Sequence, residues 1–449
     1  MSRPVRFLHV ADVHLGTPLQ GFFDAPSHIE SQLMEASFEA WRRVCDAALA
    51  YDVDCVLVAG DLYHREARSV KAVRCVQEGV ERLARAGIGV YVVYGNHDPL
   101  GEGEELMDMP DNFHAFSAVK PGFIEIRDES DMLLARIHGI SYRSRGDSRA
   151  LHTMLQPSDG GVVNIGLLHT QLDPNNPNYC PCSVGDLVNQ KHIHYWALGH
   201  IHQPRIVRYE RPTVAFPGTP QGRHPKEKGV GGCLLVELAL GKAPDIQFVP
   251  ISPLVWKEIE VSIDDHGDEA ILTISDVERL LRARAEELWE GPSSLTSVAG
   301  VPLADTSWKP EGYLVRWVLT GRGIVHDALV NPENDHSDLL RSIERLQYRK
   351  PFLWTESVQM QTGRPLPEWQ DAVTSWPLAR KLDDIVESIL SGELEGELAE
   401  AMGRIWDMDY DPEHLGDDTL PATPEVVRTI VKRARQLAYE KLLEGGGLS

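Results

Sequence analysis

Five short motifs in the first half of the chain combine carboxylate, imidazole and amide side chains, and each directly follows an apolar run. The motifs are Asp12-Val13-His14, Gly60-Asp61-Leu62-Tyr63-His64, Gly95-Asn96-His97-Asp98, His169 and Gly199-His200-Ile201-His202. Residues two apart on extended chain project to the same face, so the Asp-x-His and His-x-His pairs can each converge on one point. This mixed oxygen and nitrogen set suits Mn, Fe or Zn better than Ca. Seven such ligands exceed the needs of one four-coordinate ion, so the motifs predict two divalent metal ions.

A pair of metal ions would indicate phosphoryl chemistry. Two ions about 3.5–4 Å apart can hold both the attacking and the leaving oxygens, and they acidify the water that attacks phosphorus. Asp61 is the natural carboxylate to bridge them. His97 is predicted to protonate the leaving oxygen, with Asp98 to orient it. A single histidine after a strand is more often structural, so the prediction of a metal-dependent phosphoester hydrolase depends on the whole ordered set.

The elements that must position these motifs are short strands alternating with amphipathic helices. Helical spacing of apolar residues appears around Trp41 and again around Val76. This alternation indicates a layered α/β architecture, in which active sites gather at the carboxyl ends of strands. The predicted strands are Val5–Val10, Cys55–Ala59, Val90–Tyr94, Phe123–Ile126, Ala135–Ile140, Val162–Leu168, Tyr195–Leu198, Thr213–Phe216 and Cys233–Leu238.

The rest of the chain has a different pattern. Residues 251–365 are predicted to form a small α+β domain that begins near Pro250–Pro253. Residues 366–449 have a helical pattern. The predicted elements of the small domain are strands Trp256–Val261, Tyr313–Thr320 and Phe352–Met360, and helices Val277–Leu288 and Leu339–Leu346.

Composition bounds the class of protein. The chain has 449 residues, of which 42% are hydrophobic and 25% charged, which is typical of a globular protein with two or three domains. A net charge of -23, mostly from residues after 250, argues against a general polyanion-binding surface. Six cysteines without a regular framework favour buried reduced thiols. No apolar run reaches about 18 residues and no signal peptide is evident, so we expect a cytoplasmic protein without a membrane segment.

The motifs resemble those of the calcineurin-like metallophosphoesterase superfamily. The segments Gly60–His64 and Phe216–Arg223 resemble the SbcD-type DNA repair exonucleases, especially the YhaO-like branch. The resemblance covers about residues 1–250. It implies a four-layer α/β sandwich of two packed β-sheets flanked by helices, with a small α+β cap domain and a helical C-terminal tail. The implied domains are a nuclease domain at 1–250, a DNA-binding cap at 251–365 and a tail at 366–449.

The resemblance also implies a role for each motif residue. His97 would be the acid and His64 would contact the scissile phosphate. The two ions would be Mn²⁺, with Mg²⁺, Fe or Zn as alternatives. One ion would be held by Asp12, His14, Asp61 and His202, and the other by Asp61, Asn96, His169 and His200.

The expected substrate is DNA, cut as an exonuclease or endonuclease. Arg65, Arg143 and Arg223 each belong to a basic cluster that could contact phosphate, although such clusters are as often simply solvated. The resemblance implies a coiled-coil SMC-like ATPase partner docked on the tail and a homodimer through the early helices. Two alternatives remain open: a small-molecule phosphodiesterase acting on cyclic nucleotides or other nucleotides, and a non-catalytic scaffold.

Overall fold

The computed structural model describes residues 3–19, 25–64, 69–100, 108–155, 161–264, 271–290, 295–305, 307–331, 343, 348, 350–365, 377–390 and six positions between 431 and 441. Packing divides the chain into two compact units. One comprises Met1–Ile263, Ile271–Thr320 and Ala328–Gln361, and the other comprises Asp264–Ala270, Gly321–Asp327 and Thr362–Ser449. The three-domain division at residues 250 and 365 stays a prediction.

Strands and helices alternate from Val5 to Val93, as the sequence predicts for the early part of the chain, and strands predominate from there to residue 250. The strands are β1 (Val5–Val10), β2 (Cys55–Ala59), β3 (Gly89–Val93), β4 (Phe113–Ala115), β5 (Gly122–Arg127), β6 (Leu133–Gly139), β7 (Val163–His169), β8 (Tyr195–Gly199), β9 (Arg205–Arg208), β10 (Thr213–Phe216), β11 (Gly232–Leu238), β12 (Asp245–Pro250), β13 (Leu254–Ser262), β14 (Ser297–Val298), β15 (Val301–Pro302), β16 (Gly312–Thr320) and β17 (Phe352–Met360). The helices are α1 (Ser27–Ala50), α2 (Val70–Arg85), α3 (Leu151–Met154), α4 (Val184–Val188), α5 (Ile274–Glu290), α6 (His326–Val330) and α7 (Pro377–Leu390).

Two six-stranded mixed sheets form the framework of the first unit. The first sheet has the order β12-β11-β1-β2-β3-β4, and its strands β1 to β4 are parallel. The second sheet has the order β5-β6-β7-β8-β10-β9, and its strands β6, β7, β8 and β10 are parallel. Antiparallel strands lie at the outside of both sheets.

The alternation of side chains along the strands produces four layers. Phe7 and Leu57 point to one face of the first sheet and pack with Ile137 and Ile165 of the second sheet. The neighbouring residues of β1 and β2 point the other way, towards α1 and α2, whose predicted apolar faces are buried. The outer face of the second sheet packs on α3 and α4 around Trp196. The predicted sandwich of two packed sheets flanked by helices is therefore confirmed.

A buried histidine ties the two sheets together next to the predicted site. His9 on β1 lies with its Nε2 atom 3.0 Å from the carbonyl oxygen of Leu198 and its Nδ1 atom 3.1 Å from the hydroxyl of Tyr195, both on β8. A carbonyl only accepts, so Nε2 carries the proton and the tyrosine hydroxyl donates to Nδ1. The contact fixes the end of β1 against the end of β8, three residues before Asp12 and two before His200.

The predicted strands and helices after residue 250 are also present where the structure describes them. Strands β13, β16 and β17 form a parallel sheet, and α5 lies in the connection between the first two. Trp256 and Leu314 of this sheet pack against Ile29 and Leu33 of α1 within the same unit. The predicted helix Leu339–Leu346 lies outside the described residues except for position 343. Of the predicted helical tail, α7 and six further helical positions are described.

Candidate metal centre and active site

The predicted site residues lie where parallel strands of both sheets end. Strands β1, β2 and β3 end together in the first sheet, and β7 and β8 end together in the second. The backbone N–H of His200 donates to Oδ2 of Asp12 over 2.9 Å, so the two sets of strand ends meet. The residues that follow these strands are Asp12 and His14 after β1, Asp61 after β2, Asn96, His97 and Asp98 after β3, His169 at the end of β7, and His200 and His202 after β8.

The first cluster consists of Asp12, His14 and His202. The Nε2 atoms of His14 and His202 lie 3.3 Å apart, and the Nε2 atom of His202 lies 3.6 Å from Oδ1 of Asp12. The side chains of Asp12 and His14 are fully buried, whereas that of His202 is 24% exposed. The ligand atoms of the three residues lie within 4.8 Å of one another, so they can share one metal ion.

The second cluster brings together Asn96, His169 and His200. Oδ1 of Asn96 lies 2.9 Å from Nε2 of His169 and 3.2 Å from Nδ1 of His200. The two imidazole nitrogens lie 3.3 Å apart. Nδ1 of His169 lies 2.9 Å from the carbonyl oxygen of Ala59, so that nitrogen carries the proton. The lone pair of its Nε2 atom is therefore free to bind a cation.

Asp61 lies between the two clusters. Its Oδ2 atom is 3.7 Å from Nε2 of His14 in the first cluster and 3.5 Å from Nε2 of His169 in the second. Its Oδ1 atom accepts a hydrogen bond of 2.9 Å from the backbone N–H of His97. The structure thus places this carboxylate where a ligand shared by two ions would have to be.

The electrostatics of the clusters fit divalent cations. Burial lowers the pKa of His169 and that of His200 to about 3, which keeps both rings neutral and able to bind metal. Burial also raises the pKa of Asp61, and repulsion from Asp98 and Asp12 raises it further. Without metal, the crowded carboxylates and the converging lone pairs repel one another, and bound cations would offset both repulsions.

Four of the predicted ligands have an uncommon backbone conformation. The φ angle is +52° at Asp12, +46° at His14, +52° at Asp61 and +102° at His200. Such angles are costly for residues with a Cβ atom and concentrate at functional sites. The strand ends therefore turn sharply at the ligands, and the rigid sandwich maintains this strain.

His64 and His97 pack against each other beside the first cluster. Their ring centroids lie 4.6 Å apart, and the ring of His97 lies 5.0 Å from that of His14. Nδ1 of His97 is buried and has no hydrogen-bond partner among the described residues. The carboxylate of Asp98 instead accepts from the backbone N–H groups of Tyr63 and Gly95, at 3.0 and 2.8 Å. Asp98 therefore fixes the two motif loops, which differs from the prediction that it orients the ring of His97.

Comparison with known proteins identifies the family of this site. Residues 5–204 match the sequence profile described as Calcineurin-like phosphoesterase, and this range contains all five motifs. Residues 5–204 form a calcineurin-like metallophosphoesterase domain. Members of this family hydrolyse phosphoester bonds with a dinuclear metal site.

The relatives of this metallophosphoesterase domain include bacterial and archaeal proteins. The chain is 35% identical over 267 residues to "Uncharacterized metallophosphoesterase YhaO" of Bacillus subtilis, covering 59% of this chain and 65% of that protein. It is 32% identical over 276 residues to "DNA double-strand break repair protein Mre11" of Aeropyrum pernix, covering 58% and 64%. The matches thus span less than two thirds of either relative.

A solved dimetal phosphatase from Danio rerio is also similar, at 11% identity with a TM-score of 0.34, covering 55% of this chain and 96% of that one. None of the helices in the described ranges is long and apolar enough to cross a membrane.

The three arginines predicted to contact nucleic acid lie in different surroundings. Arg65 lies outside the described residues. The Nε atom of Arg143 donates to the carbonyl oxygen of Ala118 over 3.1 Å, which occupies part of its guanidinium group. Arg223 is largely buried, and its charge acts on Asp12 and Asp61 of the metallophosphoesterase site. Its Nε atom is buried without a hydrogen-bond partner in the described part of the chain. Of the two described arginines, Arg223 is therefore the one that the structure places near the two ligand clusters.

Sequence reasoning missed Glu227 and Thr219. The carboxylate of Glu227 lies 2.7 Å from Nδ1 of His202, and the hydroxyl of Thr219 donates to the carbonyl oxygen of Asp12 over 2.8 Å. Both residues lie in the segment between β10 and β11. Its Phe216–Arg223 part carries the family resemblance, but the pattern assigns neither residue a place at the metal site. Their contacts depend on how that segment folds back over the strand ends.

The close approach of the two sheets at this site explains why a glycine precedes His200. A Cβ atom on Gly199 would lie 1.8 Å from the backbone oxygen of Ala59 on the opposite sheet. We expect Gly199→Ala to lower the free energy of unfolding by about 3 kcal/mol, because the clashing atom belongs to the backbone and cannot move aside as a flexible side chain can. Calorimetric measurement of Tm with and without Mn²⁺ would check this.

Gly185→Ala is the matched control for this prediction. Its added Cβ atom would find only the Ser183 hydroxyl, at 3.6 Å, which is ordinary contact. We expect its Tm to stay at the wild-type value or to rise slightly. An unchanged Tm for Gly199→Ala would show that the two strand ends can separate without cost.

Proposed function

We propose that the chain is a metal-dependent phosphodiesterase that cleaves DNA. The observation that supports this most is the place of Asp61 between the two ligand clusters, within 3.7 Å of an imidazole nitrogen in each. Asp12, His14 and His202 would hold one ion with Asp61, and Asn96, His169 and His200 would hold the other. Two bound Mn²⁺ ions would supply a water acidic enough to attack at neutral pH and would offset the charge of the phosphate.

The chain's own residues would perform the remaining steps. His97 would deliver a proton from its ring to the leaving oxygen, because its ring lies edge to face with that of His14 in the first cluster. His64, whose ring lies against that of His97, would contact the scissile phosphate. Asp98 would maintain the relative position of the two motif loops through its backbone hydrogen bonds.

DNA as the substrate has two lines of support. The partly exposed Arg223 lies close enough to Asp12 and Asp61 for their charges to interact, where it could bind a phosphate oxygen. The relative from Aeropyrum pernix bears the name of a DNA double-strand break repair protein. We propose an exonuclease, with endonuclease cleavage as a second activity of the same centre.

We further propose two protein partners. Leu378 and Ile385 of α7 are 52% and 45% exposed, and a coiled-coil SMC-like ATPase docked on the tail would cover them. Met34 of α1 and Val70 of α2 are each 59% exposed, and a homodimer through these helices would bury them. A DNA-binding cap at 251–365 and a cytoplasmic location belong to the same proposal.

The test measures cleavage of a panel of substrates by protein that has been stripped of metal with a chelator and then reloaded with a chosen ion. End-labelled linear DNA, closed circular DNA, a cyclic dinucleotide and a phosphomonoester would be incubated with protein and Mn²⁺, Mg²⁺, Fe²⁺ or Zn²⁺. We expect linear DNA to be degraded with Mn²⁺ and untouched with the chelator, since no ion then offsets the phosphate charge.

The other outcomes separate the alternatives. Cleavage of the cyclic dinucleotide with intact DNA would make the protein a small-molecule phosphodiesterase. A protein that binds two ions and cleaves nothing in the panel would be a scaffold. Cutting of closed circles would establish the endonuclease activity.

A further inference from the structure

Glu227 uses both oxygens of one carboxylate to join two parts of the site. Its Oε1 atom lies 2.7 Å from Nδ1 of His202, and its Oε2 atom accepts from the backbone N–H of Arg223 over 2.6 Å. The side chain is 18% exposed, so water competes little for these bonds. A metal-ligand residue and the phosphate-binding arginine of the proposed function thus share one acceptor group.

The contact with His202 determines which ring nitrogen faces the cluster. A carboxylate accepts, so Nδ1 of His202 donates and carries the proton. The Nε2 atom is left with a lone pair that points into the cluster, 3.3 Å from Nε2 of His14 and 3.6 Å from Oδ1 of Asp12. A carboxylate behind a histidine in this way fixes the tautomer and strengthens the ring as a metal ligand.

The contact with Arg223 fixes the loop that carries the guanidinium group. The carbonyl oxygen of Gly222, the preceding residue, accepts from Nε1 of Trp256 over 3.0 Å and from Nε2 of Gln221 over 2.8 Å. A Cβ atom on Gly222 would lie 2.7 Å from the backbone oxygen of Glu227, so the two ends of the loop are in close contact. The loop is therefore rigid at the point where Glu227 binds its backbone.

We propose that Glu227 is a positioning residue that couples the metal site of His202 to the placement of Arg223 on the substrate phosphate. The inference rests on the proposed function, because it takes His202 as a ligand and Arg223 as the phosphate contact. Filling of this metal site and binding of the phosphate then depend on the same side chain. The site that contains Asn96, His169 and His200 has no contact with Glu227 among the described residues and keeps its affinity.

The test replaces Glu227 with glutamine, which has the same shape. The donors of His202 and of the loop face different oxygens of Glu227, and an amide offers an acceptor at only one of these two positions because the other carries an NH₂ group. We expect equilibrium dialysis of the full chain to show two Mn²⁺ sites in the wild type. In Glu227→Gln, one of them should be 10- to 100-fold weaker, roughly as for loss of a carboxylate behind a ligand. The EPR signal of a coupled Mn²⁺ pair should disappear at the concentrations that fill only the stronger site.

Two further variants make the result specific. Glu258→Gln is the matched control, because Glu258 binds the neighbouring Lys228 over 2.6 Å on the surface, and it should leave both sites unchanged. Arg223→Gln should raise KM for DNA about tenfold or more without changing Mn²⁺ binding, whereas Glu227→Gln should change both. Glu227→Ala is the second substitution to be measured if the glutamine protein has an altered circular dichroism spectrum.

The outcomes distinguish the two proposals. A wild-type protein that binds no pair of ions contradicts the proposed function itself. A wild-type protein with two Mn²⁺ sites, and a folded Glu227→Gln or Glu227→Ala protein with the same two affinities and the same KM, overturns the coupling role of Glu227 alone. A change in KM without a change in Mn²⁺ binding also overturns it.

Discussion

Asp61→Asn is expected to lose the ability to hold two ions and to lose activity by about 10³–10⁴-fold, on the order of what removal of a catalytic group costs. The substitution keeps the volume of the side chain and the Oδ1 acceptor for the backbone N–H of His97. It removes the negative charge and replaces one oxygen, which lies within 3.7 Å of an imidazole in each cluster, by an amide nitrogen. Metal analysis after dialysis against Mn²⁺ and rates on linear DNA measure the two effects.

The stability of Asp61→Asn should change in the opposite direction without metal. Asp61 is buried near Asp12 and Asp98, and their repulsion destabilises the folded metal-free protein. The asparagine protein should therefore have an equal or higher Tm in chelator. Excess Mn²⁺ should raise the Tm of the wild type much more than that of the variant, because only the wild type binds two ions tightly.

Asp46→Asn provides the control for this pair of measurements. Asp46 forms an exposed ion pair with Arg82, so its loss should change the Tm little and the Mn²⁺ content not at all. If Asp61→Asn still bound two Mn²⁺ ions with wild-type affinity, the carboxylate would not be shared between the clusters. The assignment of Asp61 as a bridge would then be wrong.

The strands inside the sheets could be predicted from sequence, whereas most edge strands could not. The bounds of β1, β2, β10 and β17 agree with the prediction at both ends. The first three of these strands have neighbours on both sides, which gives a clear apolar pattern, whereas β17 lies at the edge of its sheet. The missed strands are β4, β9, β12, β14 and β15, and all five lie at sheet edges. These edge strands are short or polar, as the Arg205–Arg208 segment is, so a search for apolar runs does not find them.

The site shows the same division between local and long-range information. The placement of Asp12, Asp61 and His200 at strand ends follows from the apolar runs before them, so their meeting could be expected. The positive φ angles at these residues could not be expected, because they arise from the turn that each strand end must make. The partners of Asp98 and His202 depend on which loops fold against them. Those contacts join residues 25 to 35 positions apart, which no local pattern encodes.

His97→Ala is expected to lower DNA cleavage by about 10²–10⁴-fold while leaving the content of Mn²⁺ at two ions per chain. The ring of His97 is not needed for the contacts within either cluster, and its backbone N–H, which binds Asp61, remains in the alanine variant. The loss should therefore come from the proton that the leaving oxygen no longer receives. Rates on DNA and metal content of the same preparation check both parts.

The leaving group separates an acid from a residue that only binds. A p-nitrophenolate leaves without a proton, whereas the deoxyribose oxygen of DNA requires one. The rate of His97→Ala on bis-p-nitrophenyl phosphate should hence fall far less than its rate on DNA. His192→Ala, which removes an exposed histidine, should keep both rates. Equal losses on the two substrates would mean that His97 supports binding and donates no proton, since a missing acid matters only where the leaving oxygen is a poor one.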